Sequence, residues 1–527
     1  MTSPTRALCA AEGVPLELES IVTALSSRYV VAKGARQVVR RRRLDTFDRR
    51  LRTAGLTLEH QVVASRERVV LRRLDGSSTV VVPVKDLRWP APAGVLPSGP
   101  VRDAVAPVAG IRALMVASDQ RRRIQPLALR NKDGKTVARV DLDEPASAAG
   151  APARLTVGTM RGYDEQARRA GRLLLGLGLR AVEGPVEGGD PENGGDSEDG
   201  GDSEDTLPRP ALPGPVKDRS VPAPVLLTSA LSGFLVTMRE NLPGLLDDVD
   251  TEFLHDFRVS VRRTRATLKL GRPVLPEVTR SRWEPAFRWL GDLTTPVRDL
   301  DVYELGLPEM GAWLLTADPR DLEPLAMHLR SRRAAEYRVL VRSLRSARFM
   351  RLVTKWDEEL ARLGEVPASD PPDAAHPELL SAGELADRSI SRAYRRVARG
   401  GALIGAGSPA TDLHWLRKRC KELRYALEVF SPLIDPAARK HAVADLKDLQ
   451  DVLGRFQDSE VQRRALRGYA EEMMGEGTTA GALLAMGELI SHLDVEQDRA
   501  RQEFDVAFAH FGRPSSLKLM HRLGGAT

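Results

Sequence analysis

A long-range repeat constrains this chain more than any local propensity does. Residues 254–270, Leu-His-Asp-Phe-Arg-Val-Ser-Val-Arg-Arg-Thr-Arg-Ala-Thr-Leu-Lys-Leu, return in related form at 413–429, a displacement of 159 positions. His255, Arg258, Arg262 and Arg265 are matched by His414, Arg417, Lys421 and Arg424. At about 100° per residue, such spacings put each set on one stripe of a helix. A second stripe reads Phe257, Val261, Thr264 and Leu268 in one copy, and Leu416, Cys420, Leu423 and Leu427 in the other. It lies roughly 110° around the helix and is the expected core face. Further on, Asp292 and Asp299 follow His255 by 37 and 44 residues, and Asp451 and Asp458 follow His414 by the same intervals. Spacings kept over that length imply a duplicated helical unit.

Charge supports a polyanionic partner. The chain of 527 residues carries a net +7. Residues 183–224 hold eleven acidic and three basic residues, so the remainder carries +15. A cationic folded body favours phosphate-rich ligands. The two cysteines, Cys9 and Cys420, lie far apart and indicate neither a disulfide framework nor a cysteine metal site. The N-terminus lacks an apolar signal core. The uncharged run from Ser220 to Met238 holds Pro, Ser, Thr and Gly, which favours a buried helix over a membrane span. The expectation is a cytoplasmic protein without membrane insertion.

Read in order, residues 1–182 favour strands. Arg68–Leu74 and Thr79–Val84 flank the turn at Asp75-Gly76, and Ile124–Leu129 and Thr136–Leu142 flank Asp133-Gly134. Glu165–Leu177 reads as a helix. Residues 183–224, rich in Gly, Asp, Glu and then Pro, read as a flexible acidic linker. From 225 to 512 the pattern is helical, as two repeats of about 225–363 and 378–512, with a tail at 513–527. Arg388 and Arg392 head a further basic stripe. The fold class expected is α+β multidomain: an N-terminal antiparallel β-barrel and a C-terminal all-α domain of two pseudo-symmetric bundles.

Two family resemblances follow from these motifs. Leu44–Leu58, with Ser118–Asp143, resembles the CYTH or triphosphate-tunnel superfamily, which implies a β-tunnel and metal-dependent triphosphate chemistry. That family's first-strand Glu-x-Glu-x-Lys is met only by Glu17-Leu18-Glu19-Ser20-Ile21, with isoleucine at the lysine position. A tunnel without catalysis is therefore expected, with Mg or Mn relevant only if it is active. The pattern His-x-x-Arg-x-x-x-Arg-Arg-x-Arg, paired with Val297-Arg298-Asp299-Leu300-Asp301 and repeated at Leu413–Tyr425, resembles the CHAD domain, the conserved-histidine α-helical domain.

The CHAD resemblance implies a basic groove that binds inorganic polyphosphate, and association with polyphosphate granules. The residue set expected to contact it is His255, Arg258, Arg262, Arg265, Lys269, Arg298, Arg388, Arg392, His414, Arg417, Lys418, Lys421 and Arg424. Asp299 and Asp458 are expected to orient neighbouring arginines or cap helices. Neither catalytic residues nor metal ligands are assigned. Two other functions remain open. One is a triphosphatase or tripolyphosphatase in which the helical domain recruits substrate. The other, a nucleic-acid binder, is disfavoured because aromatics make up only 5% of the chain.

Overall fold

The computed structural model describes residues 6–9, 16–75, 77–146, 153–181, 216–364, 380–475, 477–513 and 516. They divide into two compact units, at 1–209 and 210–527. The acidic segment at 183–215, the stretch joining the repeats at 365–379 and the tail beyond 516 lie outside the described residues.

The N-terminal unit comprises β1 (Arg6–Cys9), α1 (Leu18–Ser26), β2 (Val30–Lys33), β3 (Gln37–Asp45), α2 (Arg50–Thr53), β4 (Leu56–Val63), β5 (Arg66–Arg73) and β6 (Thr79–Val84). It continues through β7 (Ala91–Pro92), α3 (Pro100–Ala109), β8 (Ala113–Arg130), β9 (Thr136–Pro145), β10 (Arg154–Thr159), α4 (Asp164–Leu175) and β11 (Arg180–Ala181). The strands form one antiparallel sheet in the order β11-β1-β10-β9-β8-β3-β4-β5-β6, with β2 and β7 also paired to β8. Among the described residues the sheet is a curled half-barrel and does not close into a ring. Both hairpins expected from the sequence form: β5 with β6, and β8 with β9.

One expectation is corrected. Glu17 to Ile21 does not lie on a strand: Glu17 is the N-cap of α1, and Leu18–Ser26 is helical. The physical reason is the period, since Ile21 and Leu25 stand four apart and are fully buried. The first strand is instead Arg6–Cys9, which carries no glutamate.

The two faces of the sheet differ in kind. One is apolar and covered by helices. Ile21 and Leu25 of α1 and Ala170 and Leu174 of α4 bury Leu127, Leu129, Val140 and Leu155. Leu51 of α2 and Val101 and Val105 of α3 bury Leu44, Leu58, Val69 and Leu71. The other face is polar, because alternation sends Arg41, Arg43, Glu59, Gln61 and Gln120 to the side opposite Leu44 and Leu58. Asp45, within the segment that carries the tunnel resemblance, is a buried acceptor for three backbone amides: Thr46 (2.7 Å), Leu51 (2.9 Å) and Arg52 (3.1 Å). Its task is to shape the turn into α2.

The C-terminal unit is helical: α5 (Ala223–Leu246), α6 (Thr251–Leu270), α7 (Glu277–Ala312), α8 (Glu323–Leu344), α9 (Ala347–Gly364), α10 (Ala382–Gly401), α11 (Ala410–Val429), α12 (Pro436–Gly475) and α13 (Ala480–Phe511). Adding the 159-residue displacement carries the starts of α5, α6 and α7 onto those of α10, α11 and α12 without a gap. Both expected core stripes are buried, Phe257, Val261, Thr264 and Leu268 in α6 and Leu416, Cys420, Leu423 and Leu427 in α11.

The repeats meet about a pseudo-two-fold axis. Ala223 N donates to Leu380 O (2.9 Å), and Ala382 N donates to Val221 O (2.8 Å). Residues 221 and 223 are the repeat counterparts of 380 and 382, so each bond is the other's image. This holds 216–222 to the helical unit, although the sequence reads as linker up to 224. Arg219 adds bonds to Leu433 O (3.0 Å) and Asp387 (2.7 Å). A shared apolar cluster joins Leu300, Tyr303, Leu325 and Leu329 of the first repeat to Leu466, Met486, Leu489 and Leu493 of the second.

A buried ion pair ties α7 to α8. Arg333 Nε donates to Asp301 (2.6 Å), which is fully buried, while its Nη atoms donate to Asp248 (2.8 and 2.7 Å). Burial raises the Asp301 pKa, and Arg333 opposes the rise. Replacing Arg333 with Met strands that carboxylate and should cost about 3–5 kcal/mol. Because a carboxyl with a raised folded-state pKa takes up protons on folding, the loss should be larger at pH 8 than at pH 5. Urea unfolding at the two pH values measures it, and an equal loss at both would contradict the stranded-charge account.

Candidate functional site

The site begins with α6, which starts because Asp250 caps it: its carboxylate accepts from Glu252 N (2.9 Å) and Phe253 N (3.3 Å). With the apolar stripe committed to the core, the adjoining cation stripe is left at the surface. Arg262, Arg265 and Lys269 are exposed, and His255 and Arg258 are half-buried. On α11 the pattern recurs: Lys418, Lys421 and Arg424 are exposed, and His414 and Arg417 half-buried.

Each row is steadied by the following long helix of its own repeat, through matched positions. His414 Nδ1 hydrogen-bonds Gln457 Oε1, and Arg298, the counterpart of Gln457, is the neighbouring charge felt most by His255. Arg417 donates to Asp458 (3.0 Å), and the counterpart Asp299 lies within electrostatic reach of Arg258. Arg424 donates to Gln450 (3.4 Å), and the counterpart Gly291 leaves room for Arg265, whose Nη1 stands 2.8 Å from where a Cβ would be. Asp299 and Asp458 both lie inside helices and cap neither.

The repeats differ in how the first arginine is held. Arg258 Nη1 donates to Thr294 Oγ1 (2.9 Å), Thr295 Oγ1 (3.0 Å) and Gly291 O (3.3 Å). Burial, with Arg262 adding to it, pushes the Arg258 pKa down to about 10, which still leaves it charged at neutral pH. Arg298 Nη1 is buried and makes no hydrogen bond among the described residues.

α6 and α11 cross, and two reciprocal ion pairs mark the crossing. Arg263 meets Glu428 (3.2 Å), and Lys269 meets Glu422 (2.5 Å). Positions 263 and 269 are the counterparts of 422 and 428, so the pairs are images of one another with the charges reversed between repeats. Across the crossing, Arg262 of the first row lies within electrostatic reach of Lys421 of the second. The ammonium of Lys421 is held below its usual pKa, first by desolvation and then by Arg417 and Arg262, although the side chain as a whole is exposed. Tyr303 is pushed up by burial, with Tyr469, Asp299 and Asp458 adding to it, so the two aspartates flank one hydroxyl.

Arg388 and Arg392 are exposed on α10, and Arg396 of that helix reaches α11, at Glu422 (3.7 Å). Sequence reasoning did not find Arg263, Glu422, Glu428, Gln450, Gln457 or the Thr294-Thr295 pair. The charge reversal at matched repeat positions was the available signal for the first three.

The divalent cation that the tunnel resemblance implies would sit on the polar face of the N-terminal sheet. Asp143 is engaged by Arg41 (2.6 Å) and Arg122 (2.7 Å), and Glu59 by Arg72 (3.0 Å) and Gln61 (2.5 Å). Among the described residues no group of three or more His, Cys, Asp or Glu is placed to hold a metal. Arginine occupies the carboxylates a metal would need, so the residues do not fit that group.

Residues 229–467, within the helical unit, match the model of the CHAD domain. An uncharacterised protein of Mycobacterium tuberculosis is 28% identical over 268 residues, 48% of this chain and 47% of that protein. The chain thus spans about half the length of this curated relative. The crystal structure of the CHAD domain from the plant Ricinus communis is similar at 22% identity and a TM-score of 0.44, covering 59% of this chain and 94% of that one. A candidate adenylate cyclase from Bacillus halodurans is similar at 13% identity and a TM-score of 0.25, covering 33% of this chain and 87% of that one. Among the described residues no helix is long and apolar enough to cross a membrane.

Burial and then Arg298 hold the His255 imidazole below 6.5, with Arg262 acting the same way and Glu252 and Asp256 pulling against them. Removing one cation favours imidazolium, so Arg298→Gln should move the His255 midpoint upward. Two-bond nitrogen–proton NMR correlation reads it, and an unmoved or lowered midpoint would refute the assigned neighbourhood.

Proposed function

We propose that the helical unit binds inorganic polyphosphate without consuming it, through the cation rows of α6 and α11. The observation that supports this reading most is that Arg262 and Lys421, matched cations of the two repeats, lie within electrostatic reach of one another at a helix crossing. Like charges so placed repel, and at Lys421 desolvation comes first in lowering the pKa, with Arg417 and Arg262 adding to it. A multiply charged anion relieves that repulsion. Arginine offers planar forks of N–H donors to phosphate oxygens, and lysine offers point charges. His255 adds one donor, and a second when protonated, whereas the Nδ1–H of His414 is spent on Gln457 Oε1, so His414 offers phosphate a donor only when protonated. Arg388 and Arg392 extend the basic surface for a chain that runs past the crossing. Association with polyphosphate granules in the cytoplasm follows from such binding.

Two alternatives fare worse on particular observations. Triphosphate hydrolysis in the N-terminal sheet lacks the strand-borne glutamates, since Glu17 and Glu19 belong to α1 and its cap. Nucleic-acid binding needs bases stacked on aromatic rings, and the aromatic on the cation helices that is most exposed, Trp415, already carries Arg419 over its ring at 5.1 Å.

Calorimetric titration of the full chain with long-chain polyphosphate should show binding whose log K falls linearly with log salt. Arg262→Gln with Arg265→Gln should flatten that slope by about 1.4, at roughly 0.7 per contact as for single-stranded polyanions. Phosphate release from tripolyphosphate should stay at background with Mg or Mn. A slope unchanged in the double variant, or tighter binding to single-stranded DNA of equal charge, would sink the reading.

A further inference from the structure

On the polar face of the N-terminal sheet, arginines from three strands gather on one carboxylate, and one of them finds it already taken. Val140 and Leu142 of β9, with Leu155 and Val157 of β10, belong to the apolar core. Alternation therefore sends Arg139, Asp141, Asp143 and Arg154 to the polar face. Arg154 stands directly across from Asp143 in register, which brings their Cβ atoms to about 5 Å. Yet Asp143 Oδ2 already accepts from Arg41 (2.6 Å) and its Oδ1 from the buried Arg122 (2.7 Å). Among the described residues Arg154 makes no ion pair, and its Nε is buried without a hydrogen bond, as is the Nε of Arg41. Burial raises the pKa of the neighbouring Asp141, Arg139 opposes the rise, and Asp143 adds to it. Four guanidiniums against two carboxylates leave a surplus of two positive charges at this end of the face.

We propose that Arg41, Arg122 and Arg154 form a metal-free site for a single phosphate dianion, either free orthophosphate or a phosphomonoester. This is the converse of the metal-dependent triphosphate chemistry that the tunnel resemblance implies, and it starts from the misfit of the metal. Where a cation would need carboxylates, this face supplies guanidiniums that carry the positive charge themselves. Three strands, β3, β8 and β10, each bring one fork of donors to the same point. A planar carboxylate is satisfied by one such fork, whereas a tetrahedral phosphate offers oxygens to several directions at once. Charge sets the size of the ligand. A dianion matches the surplus of two, but a triphosphate would carry its excess negative charge against Asp141 and Asp143 with no metal to bridge them. The surplus does not extend along the sheet, because Arg43 lies across from Glu59 in register, and Arg68 and Arg72 are committed to Gln61 (2.9 Å) and Glu59 (3.0 Å).

Two readouts on the full chain test this, both with EDTA present. Hydrogen exchange read by mass spectrometry should show that orthophosphate slows exchange in β9 and β10, and that tripolyphosphate at equal concentration protects them less. In equilibrium dialysis against radiolabelled orthophosphate, Arg154→Gln should weaken binding about tenfold, as expected for one lost charge-assisted contact. Arg121→Gln removes the same charge from an exposed neighbour on the opposite face of β8, and should change the affinity by less than about twofold. Equal losses in the two variants would overturn the proposal, as would protection of β9 and β10 that appears only when magnesium replaces EDTA. Stronger protection by tripolyphosphate overturns it too, and this arm decides on the unaltered chain even if Arg154→Gln does not fold. Methyl phosphate that competes with orthophosphate marks a monoester site, and methyl phosphate that does not marks a site for the free ion.

Discussion

The crossing of α6 and α11 is the constraint on which the rest of the site depends. It brings two rows of like charge together, an arrangement that costs electrostatic energy, and something must offset that cost. The reciprocal ion pairs do not: Lys269 and Arg263 are 51% and 40% exposed, and surface pairs contribute roughly 0–1 kcal/mol each. The offset comes from the buried stripes, where Phe257, Val261 and Leu268 on one helix and Leu416, Leu423 and Leu427 on the other are wholly removed from water. At roughly 1.5–3 kcal/mol for each large side chain, burial outweighs the repulsion. The ion pairs set register instead. With Arg263 and Lys269 on one repeat and Glu422 and Glu428 on the other, α6 would meet a copy of itself as four cations.

Duplication also explains why the site is built on long helices and not on loops. α7 and α12, 36 and 40 residues long, each run beside the cation helix of their own repeat and supply its supports from matched positions. Those supports diverged in chemistry while keeping their places. Gln457 stands where Arg298 does, and a threonine pair holds Arg258 where Asp458 holds Arg417. The consequence is a pair of arms equal in their outward charge and unequal behind it.

The N-terminal unit is the place where local pattern misled. Glu17 and Glu19 alternate as strand residues would, but Ile21 and Leu25 obey the helical period, and burial of that pair decided the conformation. Beyond that point the sheet follows its sequence, with both Asp-Gly hairpins where alternation put them. The polar face could not be judged from spacing alone. Only the register shows Arg41 and Arg122 converging on Asp143, which turns a would-be metal ligand into an ion-pair partner.

The sequence by itself determined the helices, their buried stripes, the cation stripes beside them and the duplication, because each is a periodicity or a spacing along one chain. Tertiary structure decided how the copies face one another. Relative placement depends on contacts between residues more than 150 positions apart, Val221 with Ala382 or Arg263 with Glu428, and no local period encodes those. It likewise decided which charges are shared and which are spent. Lys269, read as a free cation from its stripe, is held by Glu422, whereas Arg262 and Lys421 reinforce one another's field. A helix's own sequence says which way a side chain points; only its neighbours say what waits there.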